Sequence, residues 1–521
     1  MSSRTLRHSW KRFVHTRSRL QNHVKWLEPS GSISDIVIFN PVAKAKTPLI
    51  LKNNNVATWY MCGPTIYDSA HIGHASTYVK FDIIRRILSE FFDINVVLVM
   101  GMTDIDDKII IKSKVTGKNW QDLTKHYKDE FFRDMELLHV SKPLMTCKVT
   151  DYIPEIVSFI KKIVDKGGAY VGKDGSVYFD TLKYPYYGKL AVPLPEESHV
   201  IKKSSLDFAL WKSVKENEPY WESPWGKGRP GWHIECSAIA SAVLGSNIDI
   251  HSGGIDLAFP HHENEEAQSC CYHDNNQWIN YWLHTGLLNV QGDIKMSKSL
   301  QNTISIPTLL EKYSANEFRM LCLLSHYRSN VTFSVDLIKN AVTISKKFEF
   351  FLSDCNNYIS GKLDNININE SELLKCLEET RNKVKSFLAN DFHTPLALQA
   401  VSNLIAVSNQ MFQKKSLTIT SRSPASVAAV SNYVQTFMSK LGFKKHQSST
   451  ENNDISKILD HVVDFRNEVR AKALAKNEKD IEILKSCDSF RKNLSGCGVD
   501  IRVNEKIIIS LCKLKCSIKC Y

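Results

Sequence analysis

The stretch "FPHHENEEAQSCC" at 259–271 contains two histidines, three glutamates and two cysteines. Imidazole, carboxylate and thiolate groups are the ligands that proteins offer to zinc, so this stretch is a candidate metal site. On a helix, His261 and Glu265 share a face because they are four residues apart, and His262 and Glu266 have the same spacing. Periodicity does not choose between the two pairs. The alternative interpretation is a surface helix that begins with ordinary charged residues.

A zinc site normally needs three or four protein ligands, so further ligands have to come from elsewhere in the chain. Two cysteines are candidates: Cys62, near the end of a predicted strand, and Cys236 in "GRPGWHIECSAIA" (228–240). Each has an alternative interpretation as a small, inert core residue. Cys270 and Cys271 are expected to lie in a helix core. The thirteen cysteines lack the close, even spacing of a disulfide scaffold, which favours a reducing compartment.

Hydrophobic periodicity predicts the elements that have to position these residues. "VATWYMCGP" (56–64) is typical of a buried strand that ends at Gly63-Pro64. After "HIGH" (71–74), apolar residues recur at helical spacing, and a second strand is predicted at 95–100. Strand, helix and strand of this length indicate a βαβ unit and a parallel sheet. Ligands bind beyond the carboxyl ends of such strands, where Cys62 and His71 are expected to lie.

The rest of the chain divides by composition. An irregular region with a predicted hairpin at 166–180 interrupts the pattern, which resumes with the strand "NIDIHSGG" (247–254). Beyond it, long helical periodicities dominate. We therefore predict an α/β fold, in which a Rossmann-like parallel-sheet catalytic domain with an insertion is followed by an α-helical C-terminal domain. The predicted boundaries are 28–150 and 226–330 for the two halves of the catalytic domain, 151–225 for the insertion and 331–521 for the helical domain.

Positive charge is concentrated at the N-terminus. The formal net charge is +12, and the first 27 residues contain seven Lys/Arg and no acidic residue, which leaves a net +5 elsewhere. An Arg-rich segment without acidic residues is typical of a mitochondrial transit peptide, and we predict one at 1–27; the alternative is a disordered basic tail. No run approaches the ~18 uninterrupted apolar residues of a membrane span, so we expect no membrane segment.

The chain also contains "HIGH" at 71–74 and "KMSKS" at 295–299, in that order and 224 residues apart. These are the two signature sequences of class I aminoacyl-tRNA synthetases. Five further segments resemble one family of that class, cysteinyl-tRNA synthetase: "YMCGPTIYD" (60–68), "TDIDDKI" (103–109), "LDFALWK" (206–212), "SPWGKGRPGWHIECS" (223–237) and "GGIDLAFPHHENE" (253–265). The resemblance extends in order from about residue 35 to 330, and more loosely to 475.

The resemblance implies one zinc ion with four ligands, namely Cys62, Cys236, His261 and Glu265. His262 and Glu266 then lie beside the site. Cysteine and serine differ by one atom, and an apolar pocket separates such near-isosteres by only about 1–3 kcal/mol. Zinc that binds the thiolate of the substrate directly gives more selectivity, because a serine hydroxyl is harder and far less acidic.

The reaction implied by the resemblance is ATP-dependent formation of cysteinyl-adenylate, followed by transfer of the cysteinyl group to tRNA(Cys). The implied catalytic residues are His71, His74 and Lys298, and the implied ATP-binding residues are these three with Gly254, Asp256 and Lys295. The two histidines stand at a helix start, where the positive end of the helix dipole favours phosphate. The implied cysteine pocket consists of Gly63, Thr103, Trp232 and His251. Magnesium is expected with ATP and held mainly by the nucleotide, since the sequence has no evident carboxylate cage.

The implied partners are tRNA(Cys), ATP and L-cysteine, with the helical domain contacting tRNA and the protein acting as a monomer in the mitochondrial matrix. Two alternatives stay open: a ligase that passes cysteinyl-adenylate to a small amine, and an inactive relative that binds RNA. The long helical region argues against the first, because a small acceptor needs no such surface. The intact motifs and ligand positions argue against the second.

Overall fold

A computed structural model of the chain describes residues 25–191, 202–290, 303–363, 366, 368–413, 422–444, 453–475 and 480–496. The elements as far as the end of the insertion are β1 (Ser32–Asn40), β2 (Ala45–Leu51), β3 (Val56–Thr65), α1 (Ile72–Phe92), β4 (Asn95–Thr103), α2 (Asp107–Thr116), α3 (Trp120–Leu137), β5 (Met145–Lys148), α4 (Ile153–Asp165), β6 (Ala169–Val171), β7 (Val177–Phe179), β8 (Phe208–Ser213) and β9 (Gly228–Pro230). The elements that follow are α5 (Trp232–Leu244), β10 (Ile248–Gly254), α6 (Glu263–His273), β11 (Ile279–Thr285), β12 (Leu288–Val290), α7 (Ile306–Lys312), α8 (Ala315–Leu323), β13 (Val331–Phe333), α9 (Val335–Ile359), α10 (Glu370–Ala389), α11 (Thr394–Gln413), α12 (Pro424–Lys440), α13 (Asn453–Ala475) and α14 (Ile481–Gly496).

Five strands form the central sheet in the order β11-β10-β3-β4-β5, and every neighbouring pair is parallel. Helix α1 connects β3 to β4, so the predicted βαβ unit and parallel sheet are confirmed. From β3 the chain adds β4 and β5 on one side of the sheet, and from β10 it adds β11 on the other side. The boundary between these two strands is therefore the switch point at which parallel α/β sheets bind their ligands.

Strand β3 continues past Gly63-Pro64, where the sequence predicted its end, and reaches Thr65. Close packing against β4 explains why glycine occurs there. A Cβ atom at Gly63 would stand only 2.3 Å from the carbonyl oxygen of Gly101 on β4, so any larger residue would push the two strands apart. The pairing carries the strand beyond Cys62 and keeps that cysteine in the sheet.

The predicted hairpin of the insertion is present as β6 and β7, which pair in an antiparallel manner. It is part of a four-stranded antiparallel sheet in the order β6-β7-β8-β9. The last strand, β9, lies just before α5, and the two are joined by Gly231. The insertion therefore leads directly into the helix that carries Cys236.

The chain forms two compact units. The first comprises the residues up to Ala341 with Arg381–Ala400 and Lys440–Gly442, and the second comprises Val342–Thr380, Val401–Ser439 and the residues from Phe443 onward. The region predicted to be helical over 331–521 is thus divided between them. No helix among the described residues is long and apolar enough to cross a membrane.

Asp391 attaches the segment Arg381–Ala400 to the first unit. Its carboxylate accepts hydrogen bonds from the backbone N–H of Phe39 at 3.0 Å, from the hydroxyl of Tyr327 at 2.9 Å and from the guanidinium of Arg328 at 2.7 Å. The residue is fully buried, so these donors replace the water that the charge has lost.

Two residues of the predicted leader contact the fold. The indole N–H of Trp26 donates to the carbonyl of Asn280 at 2.9 Å, and the backbone of Leu27 exchanges two hydrogen bonds of 2.8 Å with the side chain of Gln277. Residues 1–24 of the leader lie outside the described residues. A truncation that preserves these contacts therefore ends before residue 25.

A buried ion pair joins α1 to α8. Arg319 is fully buried and donates to Asp82 at 2.7 Å and to the carbonyls of Leu138, His139 and Leu441. Burial by itself would raise the pKa of Asp82, but Arg319 and Arg86 hold that pKa below its usual value. The carboxylate is thus charged in the core and depends on its cations.

Arg319→Met should destabilise the protein by roughly 3–5 kcal/mol, because it leaves Asp82 buried with a large part of its compensating charge removed. Urea unfolding followed by tryptophan fluorescence measures this effect. Arg85→Met is the matched control, since Arg85 makes one exposed hydrogen bond, to the carbonyl of Lys142. Equal, small effects of the two substitutions would contradict the assigned role of the pair.

Candidate metal centre and active site

The four residues implied as zinc ligands lie together at the switch point of the sheet. They come from four elements: Cys62 from β3, Cys236 from α5, His261 from the turn at Ala258–His262 and Glu265 from α6. All four are buried, and their ligand atoms lie within 4.8 Å of one another. The Cys62 and Cys236 sulfurs are 3.8 Å apart, and His261 Nε2 is 3.0 Å from Glu265 Oε1. Two thiols, an imidazole and a carboxyl group thus surround one point, and zinc accepts every one of these donors.

A second set overlaps with the first and meets the same limit: Cys62, His251, His262 and Glu265. His262 Nε2 is 3.5 Å from the sulfur of Cys62, and His262 Nδ1 is 2.8 Å from His284 Nε2. Both sets contain Glu265, and neither contains Glu266. Of the two glutamates that helical spacing left open, Glu265 is the one whose carboxylate lies among the cysteines.

The two oxygens of Glu265 have different surroundings. Oε1 faces His261, whereas Oε2 is 2.8 Å from His251 Nε2. A carboxylate that binds a metal through one oxygen is commonly oriented by a hydrogen bond to the other. His251 is placed to orient Glu265 in this way, and its ring also stacks on Trp282 with centroids 4.7 Å apart.

Burial controls the electrostatics of the cluster. It raises the pKa of the Cys62 thiol and of the Glu265 carboxyl group, and it lowers the pKa of His261 and His262. Without a bound cation, burial makes these groups favour their neutral forms. A divalent cation reverses the preference of thiols and carboxyl groups, because it stabilises their anions. The donor set therefore fits a metal ion.

The structure also identifies neighbours of the ligands that the sequence reasoning missed. His233 Nδ1 is 3.0 Å from His261 Nδ1, which leaves Nε2 of His261 facing Glu265. Tyr60 is fully buried, and the pKa of its hydroxyl is raised by burial and then by the neighbouring Cys236 and Cys62. Spacing offered a signal for both residues: Tyr60 precedes Cys62 by two positions on a strand, and His233 precedes Cys236 by three on a helix.

The residues implied for the cysteine pocket surround this cluster. The Thr103 hydroxyl donates to Glu235 at 2.8 Å, and Glu235 is the buried neighbour of Cys236 in the chain. The ring of Trp232 stacks on His261, with centroids 4.2 Å apart. Trp232 is 37% exposed, so it borders the site from the solvent side and is not an ordinary core aromatic residue. Of the two cysteines predicted for the helix core, Cys270 is buried and Cys271 only partly so.

The two histidines of "HIGH" cap helix α1. His71 Nδ1 accepts the backbone N–H of Gly73 at 3.1 Å, and His74 Nδ1 accepts the backbone N–H of His71 at 3.3 Å. A nitrogen that accepts carries no proton, so in the neutral rings the proton is on Nε2. Each neutral ring therefore uses Nδ1 for the cap and carries its N–H at Nε2. The rings stack with centroids 3.9 Å apart.

The remaining residues implied for ATP binding fall in two places. Gly254 ends β10, three positions beyond His251, and Asp256 follows in the next turn and is exposed. A Cβ atom at Gly254 would stand 2.4 Å from an Asp256 carboxylate oxygen, so a larger residue would require the exposed Asp256 side chain to shift. Lys295 and Lys298 lie outside the described residues. The chain that follows them is attached to α1, since Ile72 N–H donates to the carbonyl of Ile304 at 3.0 Å.

Comparison with known proteins identifies relatives of the whole chain. The family of tRNA synthetases class I (C) catalytic domains matches residues 49–343. The chain is 42% identical over 513 residues to the probable mitochondrial cysteine–tRNA ligase of Xenopus tropicalis. The alignment covers 92% of this chain and 89% of that protein. It is 39% identical over 516 residues to the cytoplasmic cysteine–tRNA ligase of Dictyostelium discoideum, covering 91% of this chain and 78% of that protein.

A solved structure shows the same fold. Methionyl-tRNA synthetase of Mycobacterium tuberculosis bound by methionyl-adenylate matches with a TM-score of 0.55 and 14% identity, over 74% of this chain and 90% of that chain. At this identity the match shows the fold alone, and it confirms the predicted α/β fold class. The family match and the identities above show that this chain belongs to the cysteine–tRNA ligases, a family of class I tRNA synthetases.

Proposed function

We propose that this protein joins L-cysteine to tRNA(Cys) at the expense of ATP, through a cysteinyl-adenylate intermediate. One observation carries the proposal: two thiols, an imidazole and a carboxylate converge at the switch point of the parallel sheet. One of them, Cys62, belongs to β3, the strand that leads into the "HIGH" helix. A site for a thiol-bearing substrate is thereby joined to a site for phosphate.

For the metal we propose zinc, held by Cys62, Cys236, His261 and Glu265. When bound, zinc would accept the thiolate of the substrate and discriminate against the hydroxyl of serine. The orienting residues support this ligand set: His251 holds the second oxygen of Glu265, and His233 holds the second nitrogen of His261. In such sites the outer hydrogen bonds fix the ligand geometry.

The proposed chemistry is attack of a cysteine carboxylate oxygen on the α-phosphorus of ATP, with pyrophosphate as leaving group. Negative charge develops on the phosphate oxygens, and donors aimed at those oxygens lower the barrier. Nε2–H of His71 and of His74 would supply such donors beside the positive end of α1. Lys298 and Lys295 would hold the triphosphate, Asp256 the nucleoside, and Gly254 would allow its close approach. Magnesium would accompany ATP and be held mainly by the nucleotide.

In the second step, a hydroxyl of the terminal ribose of tRNA attacks the acyl carbon, and AMP leaves. Gly63, Thr103, Trp232 and His251 would line the cysteine pocket during both steps. We assign the contact with tRNA to the helices that follow the catalytic core, and we propose a monomer. The acid-free N-terminal segment and the mitochondrial relative from Xenopus tropicalis support a location in the mitochondrial matrix.

Protein that lacks residues 1–24 should charge tRNA(Cys) with cysteine and not with serine. Cys236→Ser should lose its zinc and at least ~100-fold of its cysteine charging, because it replaces a thiolate ligand. Acceptor charging with radioactive amino acid, together with metal analysis, measures both. Cys376→Ser, in α10, is the matched control and should behave as wild type.

Two other results would overturn this function. Adenylate formation without tRNA charging would assign the protein to ligases with a small acceptor. Folded, zinc-loaded protein without any cysteine-dependent activity would assign it to RNA-binding modules.

Zinc uptake should release protons and strengthen as the pH rises. The raised pKa of Cys62 means that its thiol is protonated at neutral pH, so zinc has to displace that proton. For each proton displaced, the zinc affinity should increase about tenfold when the pH rises by one unit. Competition with a chelator between pH 6 and pH 8 measures this slope, and calorimetry in buffers of different ionisation enthalpy measures the protons. An affinity independent of pH would argue against thiolate ligation.

His71→Asn should lower cysteine-dependent pyrophosphate exchange by roughly 10²–10³-fold, the loss typical of one preorganised donor. Asparagine caps helices well, so α1 should persist and circular dichroism should not change. His126→Asn, on the exposed side of α3, is the control. Exchange at the wild-type rate would limit His71 to the capping role.

A further inference from the structure

Three residues of α6 take no part in the proposed metal site, although they flank the proposed ligand Glu265. Glu263, Asn264 and Glu266 are buried like Glu265, and their side chains lie against a short segment of the insertion. That segment is Tyr187–Leu190, which we call the strap. Each of its four residues makes a polar contact with α6.

The backbone of the strap binds Glu263. Gly188 N–H donates to one carboxylate oxygen and Leu190 N–H to the other, both at 2.7 Å. The Tyr187 hydroxyl donates to the side-chain oxygen of Asn264. These contacts fix the first turn of α6 through residues that are not proposed ligands.

Lys189 binds Glu266 in a buried ion pair. The ammonium group is 2.8 Å from the Glu266 carboxylate and 2.6 Å from the carbonyl of Asn276, and the exposed fractions of the two side chains are 7% and 1%. Glu266 also accepts the backbone N–H groups of Trp278 and Ile279 at 3.3 Å. One carboxylate thus connects the strap, α6 and the start of β11.

This arrangement constrains the orientation of Glu265. Successive residues of a helix are rotated by ~100° about its axis, so a helix whose residues 264 and 266 are both fixed cannot turn residue 265 away from its place. The same restraint acts on His261, which lies in the turn leading into α6. Side chains held by ion pairs and hydrogen bonds on one face therefore determine where the ligands lie on the other.

We infer that Tyr187–Leu190 is a positioning strap, which uses Lys189 and Tyr187 to hold α6 in the orientation that directs His261 and Glu265 at the cysteines. The inference rests on the proposed zinc site. It assigns to the insertion a part in cysteine recognition, and it makes Lys189 a positioning residue and not a ligand.

The test compares Lys189→Met and Tyr187→Phe with wild type. Lys189→Met should weaken zinc binding about tenfold, the lower end of the effect of outer hydrogen bonds on metal sites. It should raise KM for cysteine in pyrophosphate exchange by a similar factor and change kcat less. Tyr187→Phe, which removes one hydroxyl, should shift both quantities a few-fold in the same direction. Chelator competition gives the affinity, and the d–d absorption of Co²⁺-loaded protein reports the ligand geometry.

Lys183→Met is the matched control, because Lys183 lies in the same insertion and makes an exposed hydrogen bond to the carbonyl of Gly167. It should leave zinc affinity, the Co²⁺ spectrum and KM unchanged. A Lys189→Met protein that unfolds at lower temperature but keeps all three quantities at wild-type values would overturn the inference. If Lys189→Met does not fold, unchanged zinc affinity in Tyr187→Phe overturns it alone.

Failure of the proposed function would appear in the wild type, as absence of tRNA charging. The strap is tested independently of that result. Zinc affinity that falls in Lys189→Met and not in Lys183→Met supports the strap even if wild type charges no tRNA.

Discussion

Glu265 directs one carboxylate oxygen at His261 and the other at His251, and both contacts lie where water does not reach. The energetic constraint behind this arrangement is the burial of ionisable groups. A buried carboxyl or thiol group is costly unless each polar atom has a partner. Around the switch point these partners come from β3, β10, α5 and α6, so the packing of the sheet and its helices depends on satisfying the cluster. A metal ion completes such a network, because it stabilises the anions that burial disfavours.

The start of helix α1 illustrates how local structure prepares chemistry. Helices leave their first N–H groups without intrahelical partners, and here two histidines accept them. Accepting through Nδ1 fixes the tautomer, so the proton of each neutral ring is on Nε2. The same backbone is bonded to Ile304, so the chain that follows "KMSKS" is attached where the nucleotide is proposed to bind. In the proposed mechanism, capping and catalysis use different nitrogens of the same imidazole rings.

The insertion contacts or leads into two of the helices that carry proposed metal ligands. Strand β9 leads into α5 and so into Cys236, whereas the strap lies against the helix that carries Glu265. Two of the four proposed ligands are therefore positioned from the insertion, one through the chain and one through buried polar contacts. The histidines at the start of α1, by contrast, follow β3 of the central sheet.

The sequence by itself determined the local elements and the candidate residues. Local composition and helical spacing predicted β3, α1, β4 and the hairpin of the insertion, because these signals depend on residues close in the chain. The motifs and their resemblance to one family supplied the ligand set. Tertiary structure decided what depends on distant partners: that His251 contacts the second oxygen of Glu265, that Trp232 borders solvent, and that β3 continues past Gly63-Pro64 to pair with β4. It also decided that Trp26 and Leu27 contact the core. Helical spacing specifies which residues share a face, but the element packed against that face is determined by contacts between residues far apart in sequence.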